Sequence, residues 1–178
     1  MSQLRVPVTQ RDHILGDANA PVVVVEYGDY QCPFCGAAQP VLAQILAQFG
    51  DNLSLVYRHF PLAEIHPFAE PAAESAEFAG SRGVFWQMHR AIFANQHQLS
   101  IPFLINLAAN LKLPPIALRD ALAAQTFASK VQADFIGGVR SGVNGTPTFF
   151  VNGRRHDDPY GVATLSSAID RAMTTAVA

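Results

Sequence analysis

Only two cysteines occur among the 178 residues, so no disulfide framework can hold this chain together. No run approaches the roughly 18 apolar residues that a bilayer-spanning helix needs, and no membrane insertion is expected. Charge of either sign is sparse: charged residues make up 15% of the chain and the formal net charge is −2. That leaves no electrostatic footprint for nucleic acid or an anionic membrane surface. The one short basic cluster, Arg154-Arg155-His156, runs straight into Asp157-Asp158. The six histidines (His13, His59, His66, His89, His97, His156) lack zinc-ligand spacing, and there is no second cysteine pair. Zinc would therefore have to bridge two copies of the chain, and no metal is expected. No internal repeat or low-complexity tract is present. The N-terminal residues have no apolar export-signal core, since Arg5, Arg11, Asp12 and Asp17 interrupt them. The expected compartment is the cytoplasm, or the periplasm if a signal peptide has been removed.

What is present is a single domain over residues 1–178, long enough and, at 49% hydrophobic, apolar enough for a substantial core. The two cysteines stand three residues apart in Tyr30-Gln31-Cys32-Pro33-Phe34-Cys35-Gly36. Random placement would give that spacing about once in a hundred. The β-branched run before them, residues 22–27, predicts a strand covered on both faces. After them, Ala38, Val41, Leu42, Ile45, Leu46 and Phe49 repeat at three and four, which predicts a helix that Pro40 should kink and Gly50 should end.

Elsewhere the pattern predicts an edge strand at residues 4–9 and a strand at 53–60. In the latter, Leu53, Leu55 and Tyr57 alternate with Ser54, Val56 and Arg58. Residues 64–140 read as a helical insertion, with helices near 71–80, 84–92, 101–111, 115–124 and 126–137. Phe85, Trp86, Met88 and Phe93 are expected in its core, and His59 and His66 are expected to be structural or solvated. A strand from 146–151, a turn at Asn152-Gly153, a short strand to 156 and a helix over 161–172 close the chain. The sum is an α/β fold with a helical domain inserted in its core.

A dithiol between a buried strand and a helix start is placed for thiol–disulfide exchange. The thiolate is the nucleophile, and unpaired backbone N–H groups and the helix dipole favour it at Cys32. Pro33 suits the first turn because its missing N–H costs nothing there. Two intervening residues put Cys35 one turn along. Cys32 is expected to be the exposed attacking thiol and Cys35 the buried resolving one. Asp29 and Tyr30 are candidates for the rim.

The chain resembles the DsbA-like branch of the thioredoxin superfamily from about residue 13 to residue 169. The resemblance rests on three stretches: Val25-Glu26-Tyr27-Gly28-Asp29-Tyr30-Gln31-Cys32-Pro33-Phe34-Cys35-Gly36, then Arg58-His59-Phe60-Pro61-Leu62, then residues 142–153 with Gly145-Thr146-Pro147-Thr148 at their centre. It implies a thioredoxin-like fold and thiol–disulfide oxidoreductase activity on protein substrates, with no cofactor. It also implies that Pro147 is a cis-proline beside the dithiol, with Thr146 before it, in a loop that pairs with extended substrate. Glu26 falls where the family often has a buried acid, and four preceding valines make burial the expectation. Such a carboxylate has a raised pKa and can take up the Cys35 proton.

One departure matters. Strongly oxidising relatives carry histidine between the cysteines, whereas Phe34 is apolar and offers no cation. A reducing or isomerising role is therefore expected over a strongly oxidising one. Two rivals remain at this stage, a chaperone-like peptide holder with an incidental dithiol and a glutathione-using kappa-type transferase or isomerase. Cys35 argues against the second, whose chemistry needs no second cysteine. Similar domains are sometimes fused to membrane antiporters. The electron donor or acceptor and the oligomeric state are not encoded in any motif.

Overall fold

In the computed structural model, which describes residues 2–176, five strands form one sheet: His13–Gly16 (β1), Val22–Gly28 (β2), Leu53–His59 (β3), Thr148–Val151 (β4) and Arg154–His156 (β5). Their order is β1-β3-β2-β4-β5. β2 and β3 run parallel, while β1, β4 and β5 pair antiparallel with their neighbours. The parallel pair needs a crossover, and Pro33–Phe49 (α1) supplies it. Pro40 sits inside α1, which continues to Phe49.

The helical insertion lies between β3 and β4. It comprises Ala69–Gly80 (α2), Phe85–Phe93 (α3), Ile101–Asn110 (α4), Pro115–Ala123 (α5) and Ala128–Arg140 (α6). Val162–Ala176 (α7) ends the described chain. α1 and α7 cover one face of the sheet, where Leu42, Ile45, Leu165 and Ile169 meet Val22, Val24, Leu53 and Leu55. On the other face Val25, Tyr27, Val56 and Phe150 pack with Phe60 and Phe135. The insertion has its own core around Ala76, Phe78, Met88, Ile92, Leu104 and Leu118. Phe85 is buried there too, whereas Trp86 and Phe93 are only partly covered.

Two local expectations fail, each for a tertiary reason. Residues 4–9 are not a strand; only Gln3 bridges to Arg154, and the edge strand is β1. Leu4 and Val8 pack instead against the second sheet face, and the carbonyls of Val6 and Pro7 accept from Arg58. That same N-terminal stretch covers β3, all seven of whose residues are buried. Arg58 reaches Asp12 through Nε at 2.7 Å and Nη2 at 3.1 Å, an ion pair that makes its burial tolerable. α6 begins at Ala128 rather than 126. The Thr126 N–H closes back on Ala121 O beside Gln125 at φ +50°, and the Glu74 carboxylate then accepts from Phe127 N–H.

Candidate active site

Cys32 is the N-cap of α1, Pro33 opens the helix, and the loop that delivers Cys32 is pinned from several sides. Asp29 Oδ1 accepts from Gln31 N at 2.7 Å; its Oδ2 accepts from Leu62 N at 2.9 Å and meets His66 Nδ1 at 2.7 Å. Asp29 and Tyr30 are each 1% exposed. They lie beneath the dithiol rather than on its rim, because the loop after β3 and the insertion close over them. From the insertion, Gln96 Nε2 donates to Tyr30 O at 2.8 Å and Cys32 O at 2.9 Å. A Cβ at Gly36 would run into the Gln96 amide and displace it from these two carbonyls.

The two sulfurs differ in environment. Cys35 is fully buried, with Asp29 N–H donating to its sulfur at 3.4 Å. Cys32 is less open than expected, at 4% exposure, because the loop carrying Thr146 closes over it. The Cys32 thiol donates to Thr146 O at 3.4 Å. The Thr146–Pro147 peptide bond is cis. Phe34 instead projects outward at 64% exposure, with its carbonyl accepting from the Tyr160 hydroxyl at 3.2 Å.

Hydrogen bonding from the Cys35 thiol lowers the Cys32 pKa to about 5, helped by the Thr146 side chain and the backbone N–H groups of Cys35 and Phe34. That Thr146 hydroxyl is buried and otherwise without a partner among the described residues. Burial pushes Cys35 far the other way, reinforced by Cys32 and Glu26. Glu26 is fully buried, on the sheet face covered by α1, directly opposite Tyr57 of β3. Burial raises its pKa to about 8, against a hydrogen bond from Gln39. Gln39 Nε2 lies 3.4 Å from Glu26 Oε1, while Glu26 Oε2 has no partner among the described residues.

The structure thus brings Cys32, Cys35, Glu26 and Thr146, with Pro147 beside it, to the C-terminal end of β2. Gln39, His89 and Gln96 join them, and sequence reasoning did not single these out. Gln39 had a findable signal, one turn after Cys35 on the same helix face. The other two come from the insertion, whose docking no local pattern encodes. His59 and His66 are paired rather than solvated. His59 Nε2 and His13 Nε2 both meet Glu77 Oε1, at 2.7 and 2.8 Å, and these three groups are the one metal-capable cluster among the described residues. They lie away from the sulfurs, bond to one another, and have Lys130 Nζ at 4.0 Å from the shared oxygen. A cavity of about 770 Å³ between the loop after β3, α2 and α6 includes none of the dithiol residues.

Residues 8–171 match the thioredoxin family. The sequence is 46% identical over 171 residues to a protein of Salinispora arenicola named Na(+)/H(+) antiporter NhaA 1, covering 96% of this chain and 26% of that protein. The chain spans about a quarter of the length of the curated relatives it matches. No helix among the described residues is long and apolar enough to cross a membrane. Among solved structures, oxidised BdbD of Bacillus subtilis superposes with a TM-score of 0.88 at 24% identity, covering 97% of this chain and 98% of that one, a likeness of fold. DsbA2 of Pseudomonas aeruginosa is 27% identical with a TM-score of 0.71, covering 93% and 96%.

Proposed function

We propose that this chain, which belongs to the thioredoxin family, is a DsbA-like thiol–disulfide oxidoreductase that reduces or isomerises disulfides in protein substrates rather than strongly oxidising them. The exchange chemistry rests on Cys32 standing at the start of α1 beside the fully buried Cys35, with an equally buried acid alongside, and the direction rests on Phe34, which supplies no cation. At neutral pH Cys32 is a thiolate and attacks one sulfur of a client disulfide. The client S–S bond breaks, a Cys32–client bond forms, and the other client sulfur leaves as a thiolate. With the Cys32 charge, which helps to raise the Glu26 pKa, removed in the mixed disulfide, Cys35 passes its proton to the ionised form of Glu26 and attacks the Cys32 sulfur. The second client thiolate is expelled, two electrons have moved to the client, and Cys32–Cys35 remains as a disulfide. A thiol-class electron donor restores the dithiol.

The direction follows from how strongly the reduced form is held. A lower thiolate pKa favours the dithiol and makes the disulfide a stronger oxidant. About 5 lies between the values of about 7 for thioredoxin and about 3.5 for DsbA. Phe34 supplies no cation to lower it further. Thr146 and Pro147 shape the groove in which extended substrate meets Cys32, and Phe34 offers that substrate an apolar contact. A role of this kind fits the reducing cytoplasm. The antiport named for the longer relatives is a property of those proteins.

Equilibration against glutathione should give a potential between about −270 mV, as for thioredoxin, and about −180 mV, as for protein disulfide isomerase. Insulin reduction by dithiothreitol should be accelerated by the wild type and not by Cys32→Ser. A potential well above about −180 mV, toward that of DsbA, would sink the reducing or isomerising role, and an equally active Cys32→Ser would sink the exchange chemistry itself.

A further inference from the structure

We infer that His89, carried by the helical insertion, is a positioning residue for the dithiol: by holding the Gln39 amide in one orientation, it sets how readily Glu26 takes the Cys35 proton. The inference rests on the reading of Glu26 as proton acceptor. Its ground is a chain of four side chains reaching from the loop after β2 through α3 and α1 to β2 itself. Tyr30 Oη lies 3.0 Å from His89 Nδ1, and His89 Nε2 lies 3.2 Å from Gln39 Oε1. Gln39 Nε2 then lies 3.4 Å from Glu26 Oε1 and 3.2 Å from Cys35 O.

One proton arrangement satisfies every link. Glu26 Oε1 and Cys35 O are both acceptors, so the Gln39 NH₂ must face them and its carbonyl must face His89. Burial pushes the His89 pKa well down, so the ring is neutral and carries a single N–H. That hydrogen has to sit on Nε2 to donate to Gln39, which leaves Nδ1 to accept from the Tyr30 hydroxyl. Every donor in the chain therefore points toward Glu26. Were the amide reversed, its oxygen would confront two other acceptors.

A packing role alone does not account for a histidine here. His89 is 2% exposed among the rings of Tyr30, Tyr57, Trp86 and Phe93. Phenylalanine would fill such a space without two buried nitrogens that demand partners. Both nitrogens find partners, and both lie on the path to Glu26. On Glu26 itself, the Gln39 hydrogen bond opposes burial, while Cys32 adds to the rise. The other titratable groups whose charge reaches this pocket include Cys35, Tyr30, Tyr57 and Asp29 at the Glu26 end, and Glu77, His59, Arg90 and His13 at the His89 end.

The test is a ¹³C titration of the Glu26 carboxyl in the reduced protein, paired with the pH profile of mixed-disulfide resolution. Wild type is compared with His89→Phe, His89→Gln and Tyr30→Phe. In His89→Phe the Glu26 midpoint should rise by about one pH unit, the size of a lost hydrogen bond to a charged group, and the resolution profile should move with it. Tyr30→Phe should shift both the same way by less, and His89→Gln, which keeps an N–H donor, should return them toward wild type. A His89→Phe protein that is less stable but has an unmoved Glu26 midpoint would overturn the inference. If that variant does not fold, an unmoved midpoint in Tyr30→Phe overturns it equally. A midpoint that moves without the resolution profile upholds the hydrogen-bond chain and overturns instead the assignment of Glu26 as proton acceptor.

Discussion

Glu26 works against the fold that surrounds it. An ordinary carboxyl titrates near 4.5, whereas burial holds this one near 8. A raised carboxyl pKa means that the unfolded chain ionises first, so stability falls as pH climbs from about 4.5 to about 8 and then levels off. Glu26→Gln removes that dependence. In the reduced protein it should gain a few kcal/mol over wild type at pH 8.5 and nothing at pH 4, read by urea denaturation. A gain of equal size at both pH values would mean that packing, not ionisation, carries the effect. The burial of Glu26 could be read from the four valines before it, since a continuous apolar run needs cover on both faces. Its partner could not, because Gln39 faces Glu26 only once α1 has docked on the sheet. The same holds for Cys32. Its low pKa follows first from Cys35 one helical turn on, but its 4% exposure follows from a loop more than a hundred residues away.

Among the elements, β3 depends most on remote cover. Its two alternating sets of side chains are both buried, with Arg58 3% exposed. Its guanidinium holds residues 2–12 on the sheet by bonding the Asp12 carboxylate, the Val6 and Pro7 carbonyls and the Tyr27 hydroxyl. Arg58→Leu leaves Asp12, itself 7% exposed at the side chain, as an unpaired buried charge. The loss should be about 3–5 kcal/mol. Limited proteolysis should then cut first within residues 2–12. A loss under about 1 kcal/mol, as for an exposed ion pair, would show that this segment is not held through Arg58. β2 and α1 follow their pattern, and β4 does so from Thr148 rather than 146, after the cis Thr146–Pro147 bond. Their apolar periods are local, and their neighbours only completed burial that the pattern already required.

At the scale of the molecule, the insertion and the sheet are joined through Glu77 of α2. Its carboxylate meets His13 of β1 and His59 of β3, and Lys130 of α6 stands 4.0 Å away. Burial opposes ionisation there, yet the two imidazole hydrogen bonds hold the Glu77 pKa well below its ordinary 4.5. A lowered carboxyl pKa contributes stability that is full above about 4.5 and is lost as pH falls toward the folded value. Thermal melting between pH 5 and pH 2.5 should therefore fall more steeply in wild type than in Glu77→Gln, which starts lower at pH 5. Parallel curves would show that Glu77 does not carry this acid sensitivity. The fold class and the dithiol were set by the sequence alone, because hydrophobic period, helix starts and a two-residue gap between cysteines are local and act before any docking. The way the dithiol is served was decided by tertiary structure. Gln39 and His89 are 50 residues apart, and Cys32 and Gln96 are 64 apart. Which polar groups meet over such separations depends on how the insertion's core seats its helices against the sheet, and no local period records that.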